Sequence, residues 1–448
     1  MSEVSPGNLW CELAWLGGER AEPGVVIELD GERIASVTTG VASPPPEALS
    51  LPGVTMPGLA NAHSHAFQRA LRGRTQVERG DFWTWRERMY EVAGAIDPDL
   101  YRALARATFG EMALAGITAV GEFHYLHHGP GGTLYEDPNA MANAVLAAAR
   151  EAGIRITLLD TCYLHGGFGQ EPEGGQLRFS DGSVEAWTQR VSALETGPGA
   201  RVGAAIHSVR AVDPGAAAVV AAIAADRSWP LHAHLSEQPA ENEGCVAAYG
   251  KTPAAVLAEA GALSERFTAV HATHLAEDDF ALLDGRGCGV CLCPTTERDL
   301  ADGVGPAGRL AEAGARLCIG TDSHAVIDPF EEARGVELDE RLASGVRGSH
   351  SSAELLRAAT AGGCESIGWP DAGRLEPGAL ADLVTVGLDS VRLAGTSADQ
   401  ALQSLVFAAT AADVRHVIVG GRFVVRDGTH LGLDVPAELE NAIGGLPP

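Results

Sequence analysis

MPGLANAHSH, residues 56–65, closes an apolar run that begins at Leu51 and sets His63 and His65 one residue apart. Side chains alternate faces along a β-strand, so residues i and i+2 point the same way and both imidazoles can grip one ion. A helix would splay them. Two loop histidines without a task are the plain alternative, and the pair alone does not choose. The choice comes from two later β-like runs that also end in metal-competent residues, 231–237 and 318–324.

Outward from this stretch, eight short β-branched runs alternate with long Ala-rich segments of helical character: residues 51–63, 118–125, 155–163, 201–209, 230–237, 268–275, 288–295 and 316–324. Such alternation implies a parallel sheet, and eight units close most naturally into a (β/α)8 barrel of the TIM type. Chemically capable residues stand at the C-terminal end of nearly every run, where such barrels carry their active sites. Near the start, short strands turn at Gly17-Gly18 and Asp30-Gly31 before a linker at Pro44-Pro45-Pro46, and residues 414–425 turn at Gly420-Gly421. Neither end has enough strands for a stable sheet alone. The expected α/β architecture is a barrel over residues 55–372 with a small β-sandwich domain built from both termini, residues 1–54 and 373–448.

The fifth run ends HAHLSEQ, which supplies His232, His234 and Glu237. Glu237 follows His234 by three residues, so its carboxylate can stand beside an ion without binding it and shuttle a proton from an activated water to a leaving nitrogen. The eighth run ends GTDSH. Asp322 there completes a His/His/His/Asp shell with His63, His65 and His234, leaving a position for water; a helix N-cap is its alternative role. Zinc fits these N and O ligands and lowers the pKa of its water to about 7, while iron and manganese suit the same ligand types. The sixth run, TAVHATHL, places His271 where it can polarise water or substrate and sends His274 elsewhere. Cys288, Cys291 and Cys293 read as buried core thiols, and residues 244–252 miss the spacing of a phosphate loop. Adjacent His127 and His128 diverge, so at most one of them is expected near a pocket.

The chain has 448 residues, 46% hydrophobic and 20% charged, enough for a large core and unlike a disordered composition. A net charge of −27 argues against nucleic acid as a partner and means that an acidic small molecule must be captured by local arginines. The first ten residues lack a basic, then apolar, leader pattern, and no run approaches the ~20 apolar residues of a membrane span. A cytoplasmic protein with eight reduced cysteines and no membrane partner is expected.

PGLANAHSH, HAHLSE, VHATH, GTDSH and the G-x-L-x-x-G-x-x-A-D of residues 373–382 together resemble the amidohydrolase superfamily, specifically its deaminase branch. HAFQRALRG, DFWTWRERMY, EFHYLHH, HLSEQ and CPTTERDLADG are similar to the formimidoylglutamate deiminases within it. The resemblance implies hydrolysis of N-formimidoyl-L-glutamate to N-formyl-L-glutamate and ammonia on one zinc per subunit, in histidine degradation. It implies His63, His65, His234 and Asp322 as ligands, Glu237 as general acid/base and His271 as its partner. Substrate contacts are implied at Gln68, Arg86, Tyr125, His207 and Arg210, with a homodimer as the assembly. Guanidinium forks at Arg86 and Arg210 suit the two carboxylates of such a substrate, with surface ion pairing as the alternative for each. Trp83 and Trp85 either wall the pocket or pack as core. A deaminase of an aromatic ring, such as guanine or a pterin, is the second enzymatic expectation, and a non-catalytic zinc-binding barrel the third.

Overall fold

The computed structural model describes residues 7–76, 80 and 82–446. Eight strands follow one another around a barrel: β1 (Leu59–Ser64), β2 (Ile117–His124), β3 (Arg155–Cys162), β4 (Ala200–Ile206), β5 (Leu231–Leu235), β6 (Phe267–His271), β7 (Gly289–Leu292) and β8 (Arg316–Ile319). Each is parallel to the next. Helices cover the outside, so β2 and β3 are buried along their whole length. Helix starts are set locally: Asp97 accepts from the Leu100 N–H ahead of Pro98–Leu114, and Asp213 caps Pro214–Asp226 with Pro at the first position.

The barrel shuts where β1 meets the chain beyond β8. Ser64 bridges Asp322 in parallel, Asp322 N–H donates to the His63 carbonyl at 3.0 Å, and His65 N–H to the Asp322 carbonyl at 3.1 Å. Asn61 reinforces this seam, donating to Thr321 Oγ1 at 2.7 Å and accepting from Thr321 N–H at 2.9 Å. Gly320 is required here, because a Cβ would stand 2.8 Å from the His63 carbonyl oxygen.

Both termini build the second sheet, as expected, but as one continuous hydrogen-bonded layer of eight strands. The reason is Leu49–Pro57, which pairs in parallel with Asn8–Ala14 on one side and antiparallel with Leu383–Val386 on the other. Leu9, Val25, Ile27, Leu51, Leu383 and Ile418 form its apolar cluster. The apolar run 51–63 is consequently two strands in two sheets rather than one. Gly58 separates them, where a Cβ would collide with the Thr118 side chain.

Asp382 clasps the two sheets together. Its fully buried carboxylate accepts from Arg155 Nε at 2.7 Å, Arg155 Nη2 at 3.1 Å and Gly420 N–H at 2.7 Å, and its carbonyl accepts from Gly58 N–H at 2.9 Å. Among the described residues, no helix is long and apolar enough to cross a membrane. Asp382→Ala strands a buried guanidinium and is expected to cost about 3–5 kcal/mol, seen as earlier thermal unfolding. Combining Asp382→Leu with Arg155→Met is expected to recover most of that loss, and failure to do so would remove the clasp from the account.

Candidate active site

Six of the predicted groups converge at the C-terminal mouth of the barrel. Asp322 Oδ1 lies 3.0 Å from His63 Nε2 and 3.3 Å from His65 Nε2, and His234 Nε2 is 3.2 Å from His63 Nε2. His271 Nε2 stands 3.9 Å from both Asp322 Oδ2 and Glu237 Oε1. His63, His234, His271 and Asp322 each offer a ligand atom within 4.8 Å of the others, with His65 beside them. The backbone is bent to achieve this: Ser236 (φ 50°), His271 (φ 69°) and Asp322 (φ 45°) occupy the left-handed region that non-glycine residues avoid. Strain gathered at strand ends that carry chemistry marks a functional site.

Burial drives the His63 and His234 pKa values down, and burial together with neighbouring His63 takes His65 to about 3, so all three are neutral imidazoles with lone pairs to give. His65 Nδ1 faces the Phe123 carbonyl at 3.0 Å, so that nitrogen carries the proton and Nε2 is the bare one. Burial pushes the Asp322 carboxyl up, yet His63, His271 and His65 hold it below the usual carboxylate range. Neutral imidazoles and an ionised carboxylate, dehydrated and close, are the donor set a divalent transition metal takes. His271 differs. Burial lowers its pKa, but Glu297, Glu237 and Asp322 outweigh burial and push it up to about 10.

A cavity of about 310 Å³ opens over this cluster. All five expected contact residues, Gln68, Arg86, Tyr125, His207 and Arg210, line it. Gln68 Nε2 donates to the Tyr125 hydroxyl at 2.7 Å, fixing both. Arg86 stacks on Trp83 at 4.5 Å to the ring centroid, whereas Arg88 is exposed and pairs with Glu91 at 2.8 Å. Trp83 and Trp85 both wall the cavity. Arg210 Nη2 reaches Glu237 Oε2 at 3.4 Å, and its Nε lies 3.9 Å from Glu241 Oε2.

Glu297 and Glu241 were not legible from sequence. Glu297 Oε1 sits 3.3 Å from His271 Nδ1 and accepts the Cys293 N–H at 2.9 Å, which turns Nε2 toward Glu237. The only signal for it was its place in CPTTERDLADG. Tyr163 also reaches the cavity. His274 is turned away, bonded to the Asp302 carbonyl at 2.7 Å, and neither His127 nor His128 lines the cavity. Cys288, Cys291 and Cys293 are free and buried in the core, and Gly250 ends the helix Pro239–Tyr249 in a left-handed cap.

The model of the amidohydrolase family matches residues 54–424. The chain belongs to the amidohydrolase family. This amidohydrolase is 40% identical over 396 residues to formimidoylglutamate deiminase of Pseudomonas aeruginosa, covering 85% of this chain and 87% of the relative. Among solved structures, an amidohydrolase from Brucella melitensis superposes with a TM-score of 0.88 at 34% identity, covering 98% of this chain and 99% of its own. An adenosine deaminase from Xanthomonas campestris with bound zinc superposes at 0.84 with 25% identity, covering 98% and 97%. The amidohydrolase is thus a hydrolase of the deaminase kind, acting on C–N bonds. Glu237→Gln is expected to keep its metal by elemental analysis while losing about 10²–10⁴-fold in turnover. Full turnover with metal retained would free Glu237 from proton transfer.

Proposed function

We propose that this amidohydrolase converts N-formimidoyl-L-glutamate and water to N-formyl-L-glutamate and ammonia. The observation that carries the reading is the pair of arginines, Arg86 and Arg210, facing a metal-competent cluster across one cavity in a chain of net charge −27. A dicarboxylate would be repelled by that overall charge, so recognition falls to planar guanidinium donors inside a shielded pocket. The relative most informative about substrate is the Pseudomonas formimidoylglutamate deiminase.

His63, His65, His234 and Asp322 would hold one zinc ion. Bound there, the ion supplies Lewis acidity that makes water nucleophilic near neutral pH. Glu237 takes a proton from the attacking water and delivers it to the terminal nitrogen, and the proton of the adduct's hydroxyl follows as the C–N bond breaks, so that this nitrogen departs as ammonia. Arg210 and His271 flank Glu237 from two sides and fix where its carboxylate points. His271, held by Glu297, donates toward the reacting centre. Arg210 has five N–H donors, so its contacts with Glu237 and Glu241 still leave capacity for a substrate carboxylate. Gln68, Tyr125 and His207 complete the wall against which the rest of the substrate lies.

The aromatic lining of the same cavity favours a flat ring as the second reading, so substrates decide between them. Ammonia release is expected from formimidoylglutamate and not from guanine, adenosine or formylglutamate; turnover of a ring compound alone would reject the dicarboxylate. Arg86→Met and Arg210→Met are each expected to weaken kcat/KM for formimidoylglutamate by about tenfold or more, the scale of one charge-assisted hydrogen bond. Chelation should abolish activity and added zinc restore it, which an assay with a metal-buffered series reads directly.

A further inference from the structure

The segment EFHYLHH lies at the end of β2 and just beyond it, and the active-site reading uses none of its three histidines. The flanking histidines, His124 and His127, do not line the cavity. His127 Nε2 donates to the Thr161 carbonyl at 2.9 Å, and since a carbonyl only accepts, Nδ1 is left as a bare lone pair. That Nδ1 is buried without a partner. His124 has the Tyr101 hydroxyl 3.5 Å from its Nδ1, and its Nε2 is likewise buried and unpartnered. Two buried ring nitrogens without partners are costly in an apolar interior.

Asp160, on β3, lies with them: His124, His127 and Asp160 each bring a ligand-competent atom within 4.8 Å of the others, and all three are buried. Asp160 Oδ1 accepts from Trp187 Nε1 at 2.9 Å and Arg190 Nη2 at 2.8 Å, and Oδ2 accepts from Arg190 Nη1 at 2.8 Å. A carboxylate has about four acceptor positions, so three donors leave one on Oδ2. Arg190 is shared with Asp181, which takes its Nε at 2.8 Å and His128 Nε2 at 3.0 Å. Two carboxylates thus face one guanidinium, and the fixed charge admits a cation.

We infer that His124, His127 and Asp160 form a second cation site, structural in role and separate from the His63/Asp322 centre. The donor set of two imidazoles and a carboxylate suits zinc or a similar divalent ion. Each imidazole has an oxygen at its other nitrogen, as metal-bound imidazoles do. An ion here ties the end of β2 to β3 and braces, from behind, the segment that presents Tyr125 to the cavity.

The test is zinc content by elemental analysis after stripping the full chain and reloading it with zinc. Two zinc per chain are expected, falling to one in His127→Gln, to one in His234→Ala, and to none in the double variant. Because His234→Ala empties only the other centre, the two assignments fail independently. Anomalous scattering at the zinc edge from the unaltered protein removes any dependence on how a variant folds; a peak about 2.0–2.2 Å from His124 Nε2 and His127 Nδ1 is expected. Two zinc retained by His127→Gln, or a water without anomalous signal between the histidines, overturns the site.

Discussion

Backbone pairing across the seam between β1 and the residues after β8 is the constraint on which the molecule depends. Ser64 and Asp322 bridge there, which forces the two histidines beside Ser64 and the carboxylate of Asp322 toward one point. A slip of one residue would reverse every side chain on the strand and disperse the cluster. The register is pinned from below by Glu122, which accepts from Ser64 Oγ at 2.5 Å and from Ala66 N–H at 2.7 Å. Burial pushes the Glu122 carboxyl up to about 8, against those hydrogen bonds. The seam therefore rests on buried polar groups whose partners leave little freedom.

The same logic recurs wherever charge is buried. Asp382 meets Arg155 between the sheets, Asp160 and Asp181 share Arg190 outside the barrel, and Glu237 and Glu241 share Arg210 at the mouth. Such pairs add little net stability relative to apolar packing, because desolvation offsets the attraction. Their value is positional. At the mouth it becomes chemical, since the arginine that orients Glu237 also faces the cavity.

Much of this was legible because residue type and strand ends carried it. Alternation of β-branched and Ala-rich segments revealed the barrel, and His63, His65, His234, Glu237, His271 and Asp322 were visible as polar residues interrupting apolar runs. Strand limits were harder. Residues 51–63 look like one strand because both sheets bury both faces there, and only Gly58, needed for its approach to Thr118, marks the division. The terminal strands were recognisable by their turns, yet whether they stack or continue one ladder depends on pairing between segments more than 300 residues apart, on which local patterning is silent. Glu297 and Glu241 escaped for a related reason: each is an ordinary helical glutamate until folding sets His271 or Arg210 beside it. The unpartnered nitrogens of His124 and His127 exist only as a property of the packed interior.

The seam also sets a timetable. Asn61 and Thr321 are separated by 260 positions, and the outer sheet waits longer still, since Leu49–Pro57 must hold its place until Leu383–Val386 arrives. A nascent polypeptide emerging N-terminus first carries its two leading histidines uncommitted through most of translation, with no carboxylate to join them. Assembly of the cluster is therefore a late event in folding, and contacts of such long sequence separation make the closing step slow. A chain cut short before residue 322 carries His63, His65 and His234 without the seam that gathers them.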